Sequence, residues 1–329
     1  MSPPDSHPAQ HDTAHGKQGW KRLKRALTAV FFLLLIVLFT ILARRIDWTE
    51  VIETLADFKL RTLALAAGLT LVNFLVYASF DLISRTYIRQ DLGWRQILPV
   101  GIISYAFNLN LGAWIGGIAM RYRLYSHLGV STGNIARILG LSIATNWLGY
   151  MTLAGSIFSS GLVNLPPGWK LSSDALRAVG FVLLVLSAAY LLACHFSRRR
   201  TWTLRGIAIN LPSLRMALLQ LLLGTLSWSL MAAVIFTLLP KQLDYPMVLG
   251  VLLIGSVAVI ITHIPAGLGV LEAVFITLLQ HEASRSSVLA GMIAYRAIYF
   301  IVPLLIALVM YLLIEAKAKA PRVKKKPTG

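Results

Sequence analysis

Long apolar runs alternate along this chain with short, strongly basic segments. Continuous apolar runs occupy 26–43, 60–80, 134–158, 176–195, 214–239 and 288–314, and two more, 97–119 and 247–281, are interrupted by Gly, Pro and polar residues. Several reach the roughly 20 residues a helix needs to cross a ~30 Å hydrocarbon core. The pattern predicts an all-α polytopic membrane protein. Composition agrees: of 329 residues, 57% are hydrophobic and only 13% charged, with mean hydropathy +0.71.

The formal net charge of +18 is not read as a nucleic-acid footprint, because Lys and Arg lie in short segments flanking apolar runs, as the positive-inside bias predicts. One cysteine, Cys194, excludes an internal disulfide framework and leaves no Cys-based metal cluster. Residues 1–20 are polar and rich in Pro and His and read as a disordered cytoplasmic tail. His7, His11 and His15 are spaced by four, as a metal would want, yet nothing there supports a helix that would align them. The basic stretch 21–25 precedes the first apolar run, which ends at Arg44 and Arg45 without a small-residue cleavage site, so an uncleaved first span is expected rather than a signal peptide. A single transmembrane domain over 21–316 and a basic cytoplasmic tail over 317–329 complete the expected organisation.

The basic clusters at 21–25, at 198–200 with Arg205, and at 317–326 place both termini in the cytoplasm. The linkers around Pro166-Pro167-Gly168 and from Pro240 to Pro246 are poor in positive charge and fit the outer side. Arg44 and Arg45 oppose the rule, but Asp47, Glu50, Glu53 and Asp57 follow closely, and 46–59 reads as a short amphipathic helix on the outer surface. With these constraints 97–119 cannot cross once, because the Arg198 cluster would then fall outside. A re-entrant hairpin from the cytoplasm satisfies the parity, and 247–281 becomes a hairpin from the outer side that turns at Pro265-Ala266-Gly267-Leu268-Gly269. Six full spans and two hairpins result, with 60–158 repeated in opposite orientation as 214–314, the arrangement of inverted-repeat transporters whose site lies near the midplane. Two kinked full spans in an eight-helix bundle are the alternative.

Asn108 and Asn110, Gly116 and Gly117, then Arg121 and Arg123 bring breakable backbone and guanidinium groups into membrane-hydrophobic sequence. Irregular backbone at membrane depth is tolerated only where it is buried in protein or lines a cavity, and a charge at a helix centre costs roughly 2.5–3.5 kcal/mol on insertion scales. Guanidinium forks grip phosphate or carboxylate at two points; the competing reading is a pair of interfacial arginines reaching to headgroups. Residues two apart on a helix face different ways, which weakens the case for Arg123. In the second half, Pro265, Gly267 and Gly269 break the helix, and the fresh N-terminus directs N–H groups and positive dipole at whatever sits there. Glu272 lies in that first turn, either as a plain N-terminal stabiliser or as counter-ion to an intramembrane Arg or a proton-linked acid. Tyr295-Arg296 lies a third of the way into the last span, so Arg296 needs a partner and Glu272 is the obvious one. His263 reads as an interior hydrogen-bonded residue. Asn73, Asn146 and Trp147 serve equally as interhelical hydrogen bonds or as lining.

Together, Gly116-Gly117 with Arg121-Tyr122-Arg123, the run from Pro265 to Glu272, and Tyr295-Arg296 resemble the transmembrane-region family of lysylphosphatidylglycerol synthases, the flippase half of MprF-type proteins, also found as stand-alone inner-membrane proteins. The resemblance covers about 20–315. Ala266 stands where the family usually has Gly, and the soluble aminoacyl-transferring domain is absent. The resemblance therefore implies an inner-membrane protein that binds and translocates a phospholipid or other anionic lipid headgroup and does not transfer lysine. Membrane phospholipids or a lipid-linked substrate are the expected partners; homo-oligomerisation is left open, and no cofactor, metal or nucleic acid is expected. The alternative is a membrane enzyme or accessory subunit acting on a lipid-linked substrate with Glu272 as acid/base. Such chemistry usually needs a carboxylate pair or metal ligands, and the 13 acidic residues mostly lie in predicted loops.

Overall fold

The computed structural model describes residues 48–88, 92–163, 165, 172–197, 201–204, 207–262 and 264–319. The expected tail, its histidines, the first span at 26–43, the 166–168 linker, Arg198, Arg205, His263 and the end of the basic tail lie outside them. The amphipathic helix forms as α1 (Trp48–Asp57). Next comes α2 (Leu60–Ile88), 29 residues long and therefore about 43 Å; it runs eight residues past the apolar stretch and takes Asp81 into its interior.

The first interrupted stretch is divided into two helical limbs. α3 (Trp94–Leu111) ends at Gly112, whose φ of +83° an L side chain rarely adopts. A π-helical stretch (Ala113–Ala119) and α4 (Met120–His127) form the second limb. The limbs touch backbone to backbone: a Cβ on Gly116 would fall 2.0 Å from the Phe107 carbonyl carbon. The hairpin is longer than 97–119, and Arg121 and Arg123 belong to its second limb rather than following it.

α5 (Thr132–Ser160) and α6 (Ser173–Phe196) follow, and then a feature the all-α expectation lacked, a two-stranded antiparallel ribbon of β1 (Thr201–Leu204) and β2 (Ile207–Asn210). Trp202, Thr203, Ile207 and Ile209 are β-branched or aromatic, the types that suit a pleated surface. α7 (Leu214–Leu238) leads into a second hairpin of α8 (Tyr245–Thr262), a 3-10 turn (Pro265–Gly267) and α9 (Val270–Leu279). The last helix is continuous: α10 (Arg285–Tyr295), a π-helical stretch (Arg296–Ile301) and α11 (Val302–Lys319). Four helices start at a serine whose hydroxyl accepts an amide N–H of the first turn: Ser131, Ser172, Ser213 and Ser284.

Among the described residues, five helical stretches are long and apolar enough to cross a membrane: Leu60–Arg85, Ser173–Phe196, Leu214–Leu238, Tyr245–Thr262 and Arg285–Ala316. α2, α5 and α7 pack together at the centre. Gly149 of α5 and Gly224 of α7 set the closest crossing, since a Cβ on Gly149 would meet the Gly224 carbonyl carbon at 2.1 Å; small residues let membrane helices approach in this way. α6 packs on α5 and leaves Phe181, Val182 and Val185 exposed, as a helix facing lipid does.

A polar network crosses this centre. Asn73 donates to the Tyr299 hydroxyl and accepts from Ser227 Oγ at 2.8 Å, while the Tyr105 and Tyr299 hydroxyls lie 2.7 Å apart. Asn73 is thus an interhelical hydrogen-bonding residue joining α2, α7 and the last helix. Helix, hairpin, helix occurs twice in sequence, as α2, α3–α4, α5 and again as α7, α8–α9, α10–α11.

Candidate functional site

α3 lies against the Pro265–Gly267 turn and against the π-helical stretch of the last helix, so the first hairpin meets the tip of the second beside Arg296. Two local devices fix this junction. π-type winding shifts the hydrogen-bond ladder by a residue and exposes carbonyls to other donors; Asn110, buried, donates from Nδ2 to the Phe300 carbonyl at 3.2 Å and to the Ala106 carbonyl at 2.8 Å. The turn itself is built from left-handed residues: Ala266 (φ +56°), Gly267 (+59°) and Gly269 (+79°). Ala266 is the one described non-glycine with positive φ, a conformation costing an L-residue about 1–2 kcal/mol. The Ala266 methyl therefore sits on strained backbone, and the Ala266 carbonyl accepts from Arg296 Nη1 at 3.1 Å.

Gly269 caps α9, putting Glu272 in its first turn, where the helix dipole favours a carboxylate. Arg296 donates from Nε to Glu272 Oε1 at 2.8 Å, and Nη2 donates to the same oxygen. The expected pairing of these residues is present. Among the described residues, neither the buried Glu272 Oε2 nor the buried hydroxyl of Tyr295, the residue before Arg296, has a hydrogen-bond partner. The Arg296 guanidinium also sits over the Phe300 ring, 5.5 Å from its centroid.

Arg121 and Arg123 face different ways, as their spacing predicted, and each meets its own carboxylate. Arg121 Nε binds Asp81 Oδ2 at 3.0 Å, Nη1 reaches the Gly117 carbonyl at 3.3 Å and Nη2 reaches Ser142 Oγ at 3.4 Å. Tyr125 donates to the same Asp81 oxygen at 3.0 Å. Arg123 Nη2 pairs with Glu315 Oε1 at 3.1 Å, and His127 Nδ1 lies 4.0 Å from the other Glu315 oxygen. The three arginines are therefore held in three separate ion pairs. Exposure sets one pair apart: the Arg121 and Asp81 side chains keep 3% and 0% of their surface, whereas those of Arg123 and Glu315 keep 16% and 10% and those of Arg296 and Glu272 keep 12% and 13%. The first pair is shut, and the pair at the hairpin junction retains access.

Of the residues picked out from sequence, Glu272, Arg296, Tyr295, Pro265, Gly267, Gly269 and Asn110 gather at this junction. Gly116, Gly117 and Asn108 close the first hairpin instead: the Asn108 carbonyl accepts the Gly112 amide at 3.0 Å, and its side-chain Oδ1 would stand 3.0 Å from a Cβ on Gly117. Asp81, Ser142 and Glu315 were missed. Asp81 and Glu315 each fall just past an apolar run, so they read as loop acids. The available signal was spacing, since Asp81 precedes Arg85 by one helical turn and Leu82-Ile83 continues the apolar pattern.

Comparison with known proteins agrees with the resemblance in these motifs. A family model described as the lysylphosphatidylglycerol synthase TM region matches residues 26–307. The inner membrane protein YbhN of Escherichia coli is 47% identical over 306 residues, covering 93% of this chain and 96% of that one. The uncharacterized protein slr0712 of Synechocystis is 30% identical over 292 residues, covering 87% and 90%. With a match across most of its length and membrane-length helices to go with it, the chain belongs to the family of the lysylphosphatidylglycerol synthase transmembrane region and is a membrane protein.

Proposed function

We propose that this protein binds a phospholipid headgroup at Arg296 and Glu272 and carries it between the leaflets of the inner membrane. The observation that carries the reading is the partly accessible Arg296–Glu272 pair where the first hairpin meets the tip of the second. A guanidinium has five N–H donors, and Arg296 uses three of them on Glu272 and Ala266. Among the described residues nothing else accepts from Arg296, which leaves one N–H on each terminal nitrogen for a phosphate, in the two-point geometry that arginine favours. Broken helices that bring dipole ends and charge to one place are how transporters hold substrate ions at mid-membrane.

In this reading there are six full spans, both termini are cytoplasmic, and the two hairpins enter from opposite faces, so that they meet inside the bilayer. The two helix–hairpin–helix units are then inverted repeats. Arg121 and Arg123 act through the first hairpin: their pairs with Asp81 and Glu315 hold it against α2 and α11. Transport is favoured over catalysis because the acid at the junction is already committed to an arginine.

The test is headgroup movement in vesicles that contain purified protein and a trace of phospholipid labelled on its acyl chain. Arg296→Ala is expected to slow movement at least tenfold while the protein still inserts. Unchanged movement would refute the assignment.

A further inference from the structure

The junction pair also specifies the charge of its guest. Arg296 and Glu272 together are neutral, and among the described residues no other ionised side chain bonds to them. An anionic headgroup lodged there would leave one uncompensated charge in a low-dielectric site, which is costly. A zwitterion adds none. Two further atoms indicate which zwitterion. Among the described residues, the buried Glu272 Oε2 lacks a donor, and the buried hydroxyl of Tyr295, which adjoins Arg296 in the chain, lacks a partner. Buried polar atoms are seldom left unpaired. Here one belongs to the carboxylate paired with Arg296 and the other to the residue before Arg296, which still has two N–H donors to give.

We infer that the headgroup this site takes is a zwitterion carrying a primary ammonium, its phosphate on the free edge of Arg296 and its ammonium donating to Glu272 Oε2 and the Tyr295 hydroxyl. A primary ammonium has three donors, as a lysine side chain does. A quaternary ammonium has none, and so carries the right charge without satisfying either orphaned oxygen. The inference rests on the reading of Arg296 and Glu272 as a headgroup site and narrows it to a substrate class. Phosphatidylethanolamine is the simplest lipid of this kind.

Binding separates the inference from the transport reading. The detergent-purified protein is offered equimolar short-chain phosphatidylethanolamine, phosphatidylcholine, phosphatidylglycerol and phosphatidic acid, and the bound lipids are counted by native mass spectrometry. The ethanolamine lipid is expected to bind about tenfold better than each of the others, the worth of one charge-assisted hydrogen bond. Glu272→Gln should abolish that preference. Tyr295→Phe, which removes one hydroxyl and no charge, should reduce it severalfold, and so keeps the test open if the Glu272 variant fails to fold. Equal binding of all four lipids, or a preference for either anionic one, overturns the zwitterion inference and leaves headgroup binding standing. Binding of none overturns both. Selective binding of the ethanolamine lipid without movement in vesicles upholds this inference and overturns transport.

Discussion

Asp81 carries two donors, Arg121 and Tyr125, on one carboxylate oxygen, with no surface exposed. Breaking such a pair from one side strands a charge and costs about 3–5 kcal/mol, whereas removing both partners costs much less. Asp81→Ala should therefore lower thermal stability in detergent sharply, and Asp81→Ala with Arg121→Met should recover much of the loss; equal loss in the single and double variants would contradict the pairing. Ala266 predicts the opposite sign. Its left-handed backbone costs about 1–2 kcal/mol, of which the greater chain entropy of glycine takes back about 0.5–1 kcal/mol. Ala266→Gly is thus expected to raise the melting temperature slightly, and a lowered one would show that the methyl is needed. At this scale the sequence disclosed the Arg296–Glu272 pair, because each residue is a lone charge in an apolar run and a buried charge demands a partner. It hid Asp81, because α2 outlasts its apolar stretch, and nothing in hydropathy alone says that a helix will continue through a carboxylate.

Among the elements, the first hairpin is the most sensitive. Gly116 meets the backbone of Phe107 and Asn108, and backbone cannot step aside as a flexible side chain can. Overpacking a tight contact costs typically about 1–3 kcal/mol, so Gly116→Ala should destabilise the protein by at least that much. Gly133→Ala on α5, where an added Cβ meets nothing within 4 Å, should be neutral or stabilising. Matching melting curves for the two variants would contradict the close approach of the limbs. The interruptions in 97–119 and 247–281 were readable as breaks because Gly and Pro end helices for local reasons. The reach of the first hairpin to His127 was not readable, since the polar run from Arg121 to His127 resembles an ordinary interfacial loop until Asp81 and Glu315 are seen to receive its charges. The β-ribbon went unforeseen for a similar reason: two four-residue strands leave little period to detect beside such strong helical runs.

For the molecule as a whole, the proposed topology makes the two hairpins enter from opposite faces. Cys194 is buried, so single cysteines introduced at exposed positions report sidedness cleanly. Cysteines replacing Gly93 and Ser126, at the two bases of the first hairpin, should react with an impermeant reagent from the cytoplasmic face. Cysteines replacing Lys241 and His281, flanking the second hairpin, should react only from the outer face. Labelling of Gly93→Cys and Ser126→Cys from different faces would make the first hairpin a full crossing and dissolve the inverted repeat. The central claim, that a lipid phosphate lodges where the hairpins meet, is met most directly by an electron cryo-microscopy map of the protein in phospholipid nanodiscs. The account predicts a phosphate at charge-assisted hydrogen-bond distance, about 2.7–2.9 Å, from the guanidinium of Arg296. Lipid phosphates confined to the membrane surfaces, with that guanidinium bound only to Glu272 and the Ala266 carbonyl, would contradict it.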